Sequence, residues 1–241
     1  MSERAISIVP RAALALLAAA LASQLAFKAL ESRPAANAAD LPRAPASAVL
    51  RLASLGEPIA TANLLSLYLQ AFDTQPGINI PFRQLNYDRV EDWLIRILEF
   101  DSAGQYPLLM ASQVYSQVPD DKKQRQMLDL VYRQFLLDPN RRWRWLAHAT
   151  IMAKHRLQDL GLALRYARAI DQHATSPEVP HWARQMHIFI LEDMGEHETA
   201  KVLLGGLLAS GAITDAHEAR FLIQRLNALR SVEKSSSTSE K

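Results

Sequence analysis

The chain has 241 residues, of which 49% are hydrophobic and 22% charged, so it is long and apolar enough to bury a core. Lysine and arginine total 27 against 25 aspartate and glutamate, and this small excess excludes the strongly basic class of nucleic-acid-binding proteins. Cysteine is absent, which excludes disulfides, thiol catalysis, cysteine-ligated zinc and a lipid-modified cysteine.

Residues 1–30 contain an uncharged apolar run, Ala12 to Phe27, between Arg11 and Lys28. As a helix this run extends about 24 Å, and the two flanking cations can reach the surfaces of a hydrocarbon layer roughly 30 Å thick. We predict that it is a signal anchor. Cleavage after Ala20-Leu21-Ala22, which has the small-x-small form of a signal peptidase site, is one alternative, and an Ala-rich helix packed on the folded domain is another.

Arg4 and Arg11 precede the apolar run, and positive residues favour the cytoplasmic side of a membrane. We therefore expect a single-pass protein of the inner (cell) membrane whose C-terminal domain lies in the periplasm. Cleavage would instead leave a soluble periplasmic protein.

Composition divides the remainder of the chain into three parts. Residues 31–48 are rich in proline and alanine and predict a semi-rigid linker. Residues 49–230 predict one folded domain, and the serine-rich residues 231–241 predict a disordered tail.

Apolar residues recur every three or four positions between residues 49 and 230, with no convincing strand, so the predicted fold class is all-α. The predicted helices are 57–73, 87–100, 105–117, 120–137, 141–155, 159–172, 179–193, 196–210 and 214–230. Most connections between them are short, as antiparallel helix hairpins require.

Three apolar-Asp helix ends, Phe100-Asp101, Leu137-Asp138 and Ile170-Asp171, recur with a spacing of about 35 residues. Such a period indicates helix-pair repeats. A single helix hairpin cannot cover its own apolar face, so repeats of this kind stack on their neighbours.

Two stretches of sequence resemble the tetratricopeptide repeat family. Leu136-Leu137-Asp138-Pro139, followed by Arg142-Trp143-Arg144-Trp145, is similar to the junction between two such repeats, and Met194-Gly195-Glu196-His197-Glu198-Thr199-Ala200 looks like the turn and small-residue start of the second helix. The resemblance covers roughly residues 87–210. It implies a TPR-like α-solenoid, a right-handed stack of antiparallel helix hairpins; an irregular single-core helical bundle is the alternative.

In that family the first helix of each pair lines a concave groove that binds the partner. Carried over to this chain, the resemblance implies a partner-binding groove made of Trp143, Thr150, Lys154, Trp182, Gln185 and Phe189. We expect Trp145 in the core and the neighbouring arginines on the rim. The alternative for Trp182 and Phe189, which lie seven residues apart on one helix face, is that both are core residues.

No motif indicates catalysis: the chain has no Gly-x-Ser-x-Gly, no Walker loop, no Gly-x-Gly-x-x-Gly and no His-Glu-x-x-His. Its seven histidines include no pair at the i, i+4 spacing of a helical zinc site. We therefore expect no enzyme activity, no metal or other cofactor, no small-molecule substrate and no nucleic-acid partner.

The predicted function is a membrane-tethered scaffold or assembly factor that binds an envelope protein. One alternative is a docking or regulatory subunit of a neighbouring membrane enzyme. Another is an enzyme whose site is assembled from several helices without a sequence motif.

Overall fold

The computed structural model describes residues 10–30, 39–75, 77–211 and 213–239, and within these ranges the chain is helical apart from one short hairpin. The predictions that rest on residues 1–9 and 31–38 lie outside the described residues. The helices are α1 (Arg11–Leu30), α2 (Ser47–Ala53), α3 (Pro58–Ala71), α4 (Tyr87–Phe100), α5 (Tyr106–Leu109), α6 (Asp121–Leu137), α7 (Pro139–His155), α8 (Leu160–His173), α9 (His181–Asp193), α10 (His197–Ala209) and α11 (Ala216–Ser239).

The described residues fall into two units. The first contains α1 and the hairpin. The second contains α2 to α11, in which α3 packs on α4 and each helix from α6 to α10 packs on the helix that follows it. The all-α prediction is confirmed at this level: consecutive helices in the chain are neighbours in space.

Helix α1 has 20 residues, which corresponds to about 30 Å. The segment Arg11–Lys28 of this helix has a mean hydropathy of 1.3, and none of it is buried. This is the one described helix that is long and apolar enough to cross a membrane, and it is consistent with either a signal sequence or an anchor.

The hairpin corrects the expectation that residues 49–230 contain no strand. Thr74–Gln75 (β1) pairs with Ile78–Asn79 (β2) in antiparallel register. Gly77 connects them with a φ of +79°, a conformation that glycine adopts without steric cost. Strands of two residues are too short to show an alternating apolar pattern.

Local signals in the sequence determine where several helices begin. The side chains of Asn86, Asp120 and Asp159 accept hydrogen bonds from backbone N–H groups in the first turns of α4, α6 and α8. Pro139 occupies the first position of α7, where its missing N–H is not needed. The predicted helices in these regions are confirmed to within two residues.

The predicted helix 105–117 is broken into three pieces. α5 is followed by a π-helical turn, Met110–Val114, and a 3-10 turn, Tyr115–Gln117. Ser116 donates its hydroxyl hydrogen to the Ser112 carbonyl, and Tyr87 donates to the Tyr115 carbonyl at 2.7 Å. The Tyr115 carbonyl has no helical donor four residues on, because Pro119 lacks an N–H, and the Tyr87 hydroxyl donates to it instead.

The end of the predicted linker belongs to the folded unit. Leu41 is buried, Arg89 donates a hydrogen bond to the Leu41 carbonyl, and Trp93 donates to the Pro42 carbonyl at 2.9 Å. Helix α2, which was not predicted, begins at Ser47. The packing of this segment on α4 therefore starts before residue 49.

At the other end, α11 continues to Ser239, past the expected domain end at residue 230. The sequence from Ala216 to Ser239 contains no glycine or proline, so nothing in it interrupts the helical backbone.

Small side chains allow the helices of the second unit to approach closely. Ala163, Ala167 and Ala200 are fully buried, as expected from the sequence. Ala200 belongs to a core cluster in which α9, α10 and α11 meet, with Ile188, Leu204, Leu222, Leu226 and Leu229.

Candidate partner-binding surface

Two of the predicted groove residues come into contact. The rings of Trp143 on α7 and Trp182 on α9 have centroids 5.6 Å apart and planes at 74°, an edge-to-face arrangement. Trp143 is half-buried, whereas Trp182 retains 52% of its exposure. The two helices are separated in the chain by α8, and α7 also contacts α9 directly.

A surface cavity of about 500 Å³ lies beside this tryptophan pair, and Trp143 contributes to its wall. Arg144 lies over the Trp143 ring at 5.7 Å, in reach of a cation–π interaction. Arg141 forms an ion pair with Asp138 at 3.1 Å, and Glu178 faces the same cavity. The surface therefore combines an exposed indole with side chains of both charges.

Asn140 connects the first turn of α7 to the segment before α9, because its side-chain oxygen accepts a hydrogen bond from the Ser176 backbone N–H at 2.8 Å. Ser176 precedes α9, and Asn140 lies in the first turn of α7. This bond holds the starts of the two tryptophan-bearing helices together.

Lys154 and Phe189, also predicted to line the groove, make internal contacts. Lys154 forms an ion pair with Asp193, which joins the end of α7 to the end of α9. Phe189 packs on the C-terminal core cluster, and its ring lies 6.0 Å from that of Phe221 on α11. Both side chains are only partly accessible.

Thr150 and Gln185 face the interior instead of a groove. Thr150 is fully buried and donates its hydroxyl hydrogen to the Leu146 carbonyl at 2.9 Å. Gln185 is buried and donates to Glu218 at 3.0 Å. Helix α7, which carries Thr150, is contacted by α6, α8 and α9, and Glu218 of α11 contacts Gln185 on α9. Neither Thr150 nor Gln185 can therefore reach a partner at the tryptophan surface.

The arginines around Trp145 do not all lie on the rim. Arg142 is buried and donates hydrogen bonds to the carbonyls of Gln134 and Ser102, at 2.6 and 2.8 Å. Burial lowers its pKa, while the charge of Asp138 opposes that shift. Arg142 therefore satisfies carbonyls at the end of α6 and after α4. Its helical spacing of three and four residues from Trp145 and Leu146, both buried, is the signal that could have placed it inside.

Trp145 is in the core, as expected. It retains 9% exposure and donates its indole N–H to the Gln105 side-chain oxygen at 2.6 Å. Two tryptophans two residues apart on one helix point in different directions, so Trp145 stabilises the array while Trp143 borders the surface.

Within the described residues, no group of three or more histidine, aspartate or glutamate side chains is arranged to hold a metal ion. Comparisons of the chain with protein-family models, with curated proteins and with solved structures gave no match.

Proposed function

We propose that the chain is a non-catalytic interaction scaffold, held at a membrane by α1, that binds an envelope protein at the surface around Trp143 and Trp182. The observation that carries this proposal is the edge-to-face tryptophan pair with Trp182 about half exposed. Exposed aromatic side chains on a rigid base supply much of the binding energy at protein interfaces. A partner that covers Trp182 would remove a large apolar surface from water.

Part of the rigid base is the contact between α7 and α9. Trp182 already rests on Trp143, and the Asn140–Ser176 hydrogen bond connects the segments that carry them. A preorganised side chain loses little conformational entropy on binding, which favours affinity. Arg144 beside Trp143 suits a partner segment in which an acidic side chain neighbours an apolar one.

We further propose that the second unit is a TPR-like α-solenoid, a right-handed stack of antiparallel hairpins. The sequential packing of α6 to α11 supports this, as does the contact between α7 and α9, which would be the first helices of two successive pairs. The turn at Gly195, with a φ of +81°, and the buried Ala200 that follows it also fit the family's second-helix pattern.

For the location we propose a single α1 span of the inner membrane, with the second unit in the periplasm. The exposed apolar side chains of α1 support the span, and Arg4 and Arg11 before it favour a cytoplasmic N-terminus. A reporter that is active only outside the cytoplasm should work when fused after Asp40. Carbonate extraction separates an anchored chain from a cleaved one, which would be soluble.

The binding proposal is tested by photocrosslinking in native membranes from position 178 beside the cavity, first with Trp182 present and then in the Trp182→Ala variant. Trp182 is half exposed, so this variant should keep its melting temperature and lose its crosslinked partner. Phe221→Ala is the matched control, because Phe221 is an aromatic residue of 54% exposure on α11. It should retain the partner.

A folded Trp143→Ala, Trp182→Ala double variant that captures the same partner at full strength would contradict the proposed surface. If the captured protein is a membrane enzyme whose activity changes on release, the chain is a docking or regulatory subunit instead of an assembly scaffold.

A further inference from the structure

The second unit has an exposed apolar surface on α2, α3 and the loop between them. We call this surface the α2–α3 face, and it consists of Val49, Leu52, Leu55, Ile59, Leu64 and Leu67. Leu55 is 90% exposed and Leu52 is 81% exposed. The opposite side of α3 is buried through Ala62, Leu65 and Leu69, so this helix is apolar on both sides.

Charge is absent from this helix: no charged residue occurs from Pro58 to Phe72. A helix on the surface of a soluble domain normally directs charged and polar side chains outward. The outward side of α3 instead carries Leu64 and Leu67. Exposure to water does not explain why leucine occupies these two positions.

The loop that joins the two helices has a further unusual feature. Leu55 adopts a φ of +50° and is followed by Gly56 at +87°. The left-handed region is uncommon for residues other than glycine and asparagine, and a leucine there neither caps a helix nor fills the core. Its side chain is 90% exposed, so Leu55 contributes little to the core.

The position of the face in the chain indicates what covers it. Residues 31–46 connect α1 to α2 and can extend about 55 Å at most. In a copy that α1 anchors, this tether would hold the second unit within about 55 Å of the bilayer. A charge-free face with leucines at its tip matches the boundary between lipid headgroups and acyl chains, while Arg51 and Glu57 at its edge remain in the polar layer.

We propose that the α2–α3 face lies on the same membrane that holds α1, with Leu52 and Leu55 inserted at the headgroup boundary. This inference rests on the tether proposed above, but not on the Trp143–Trp182 surface. The bilayer would then hold the second unit in a defined orientation, and the tryptophan surface would be presented at a constant angle to the membrane.

The test uses the full chain in liposomes of phosphatidylethanolamine and phosphatidylglycerol. Because the chain contains no cysteine, Leu55→Cys can be labelled alone with an environment-sensitive fluorophore. We expect a blue-shifted emission that lipids carrying a spin label in the upper acyl chain quench strongly. Leu52→Cys should behave in the same way.

Val202→Cys is the matched control, since Val202 is 73% exposed on α10, a helix that packs on α9 and α11. Its emission should remain that of a probe in water.

If the chain floats with the liposomes but the probe at position 55 has the same emission as the probe at position 202, the inference is wrong and the tether stands. A chain that does not float overturns both. Blue-shifted emission without quenching by lipid would mean that protein covers the face, and this also overturns the inference.

Discussion

Helices α3 and α4 have 14 residues each and pack against one another, yet they use their apolar residues differently. In α4 the apolar side chains are buried except for the half-buried Ile95, while Asp88, Asp92 and Glu99 are exposed. In α3 leucines occur on both sides, and Leu64 and Leu67 are exposed. Packing within the domain therefore accounts for nearly all apolar residues of α4 but for only some of those of α3, whose exposed leucines are available for contact with something outside the domain.

The largest expected effect is that of Trp93→Ala on α4. Trp93 retains 3% exposure, stacks on Tyr68 at 4.8 Å and donates to the Pro42 carbonyl at 2.9 Å. Its removal should lower the free energy of unfolding by about 3–5 kcal/mol, measured by urea denaturation. Leu67→Ala on α3 should change it by less than about 0.5 kcal/mol. Equal losses in the free energy of unfolding for Trp93→Ala and Leu67→Ala would contradict the difference between α4 and α3.

Ala200→Leu extends the comparison to the other end of the array. Ala200 is fully buried in the cluster of α9, α10 and α11, and a larger side chain there should cost about 1–3 kcal/mol through overpacking. The exposed Ala209 on the same helix provides the control Ala209→Leu, which should leave the melting temperature unchanged. An unchanged value for Ala200→Leu as well would mean that the Gly195 turn does not close a packed hairpin.

His148 on α7 should make the buried array sensitive to mild acid. Burial lowers the pKa of His148, and a hydrogen bond with the Ser112 backbone only partly opposes the shift. The unfolded chain takes up this proton near the ordinary pKa of 6.5, before the folded chain does. The free energy of unfolding should therefore fall as the pH falls below that value. His148→Gln should flatten the dependence; the same slope in the variant would assign it to other groups.

The smallest effect is expected for Leu55→Asn. Asparagine tolerates the left-handed conformation that Leu55 adopts at φ +50°, so the free energy of unfolding should stay the same or rise by about 0.5 kcal/mol. Thermal unfolding followed by circular dichroism measures it. A loss of more than about 1 kcal/mol would show that Leu55 packs in the fold. Leu55 would then no longer count as part of the exposed α2–α3 face.

Local chemistry explains why the helices could be predicted from the sequence. Caps such as Asn86, the Asp138-Pro139 break and the Gly195 turn act over three or four residues, and the apolar period of a helix is visible in any window of the chain. The short hairpin and the break after α5 were missed. The first is too brief for a period, and the second is a change of helical winding shortly before Pro119 that the apolar spacing does not indicate.

The candidate surface required the tertiary structure. Helical spacing alone puts Thr150 and Trp143 on one face of α7, and only the neighbours of that helix make Thr150 buried and leave Trp143 at the surface. The sequence by itself determined most of the helical segments other than the short α2, where several of them begin and that one N-terminal helix is apolar, because those properties depend on near neighbours. Which side of each helix is covered was decided by packing between segments far apart in the chain, and that decision placed Trp143 against Trp182.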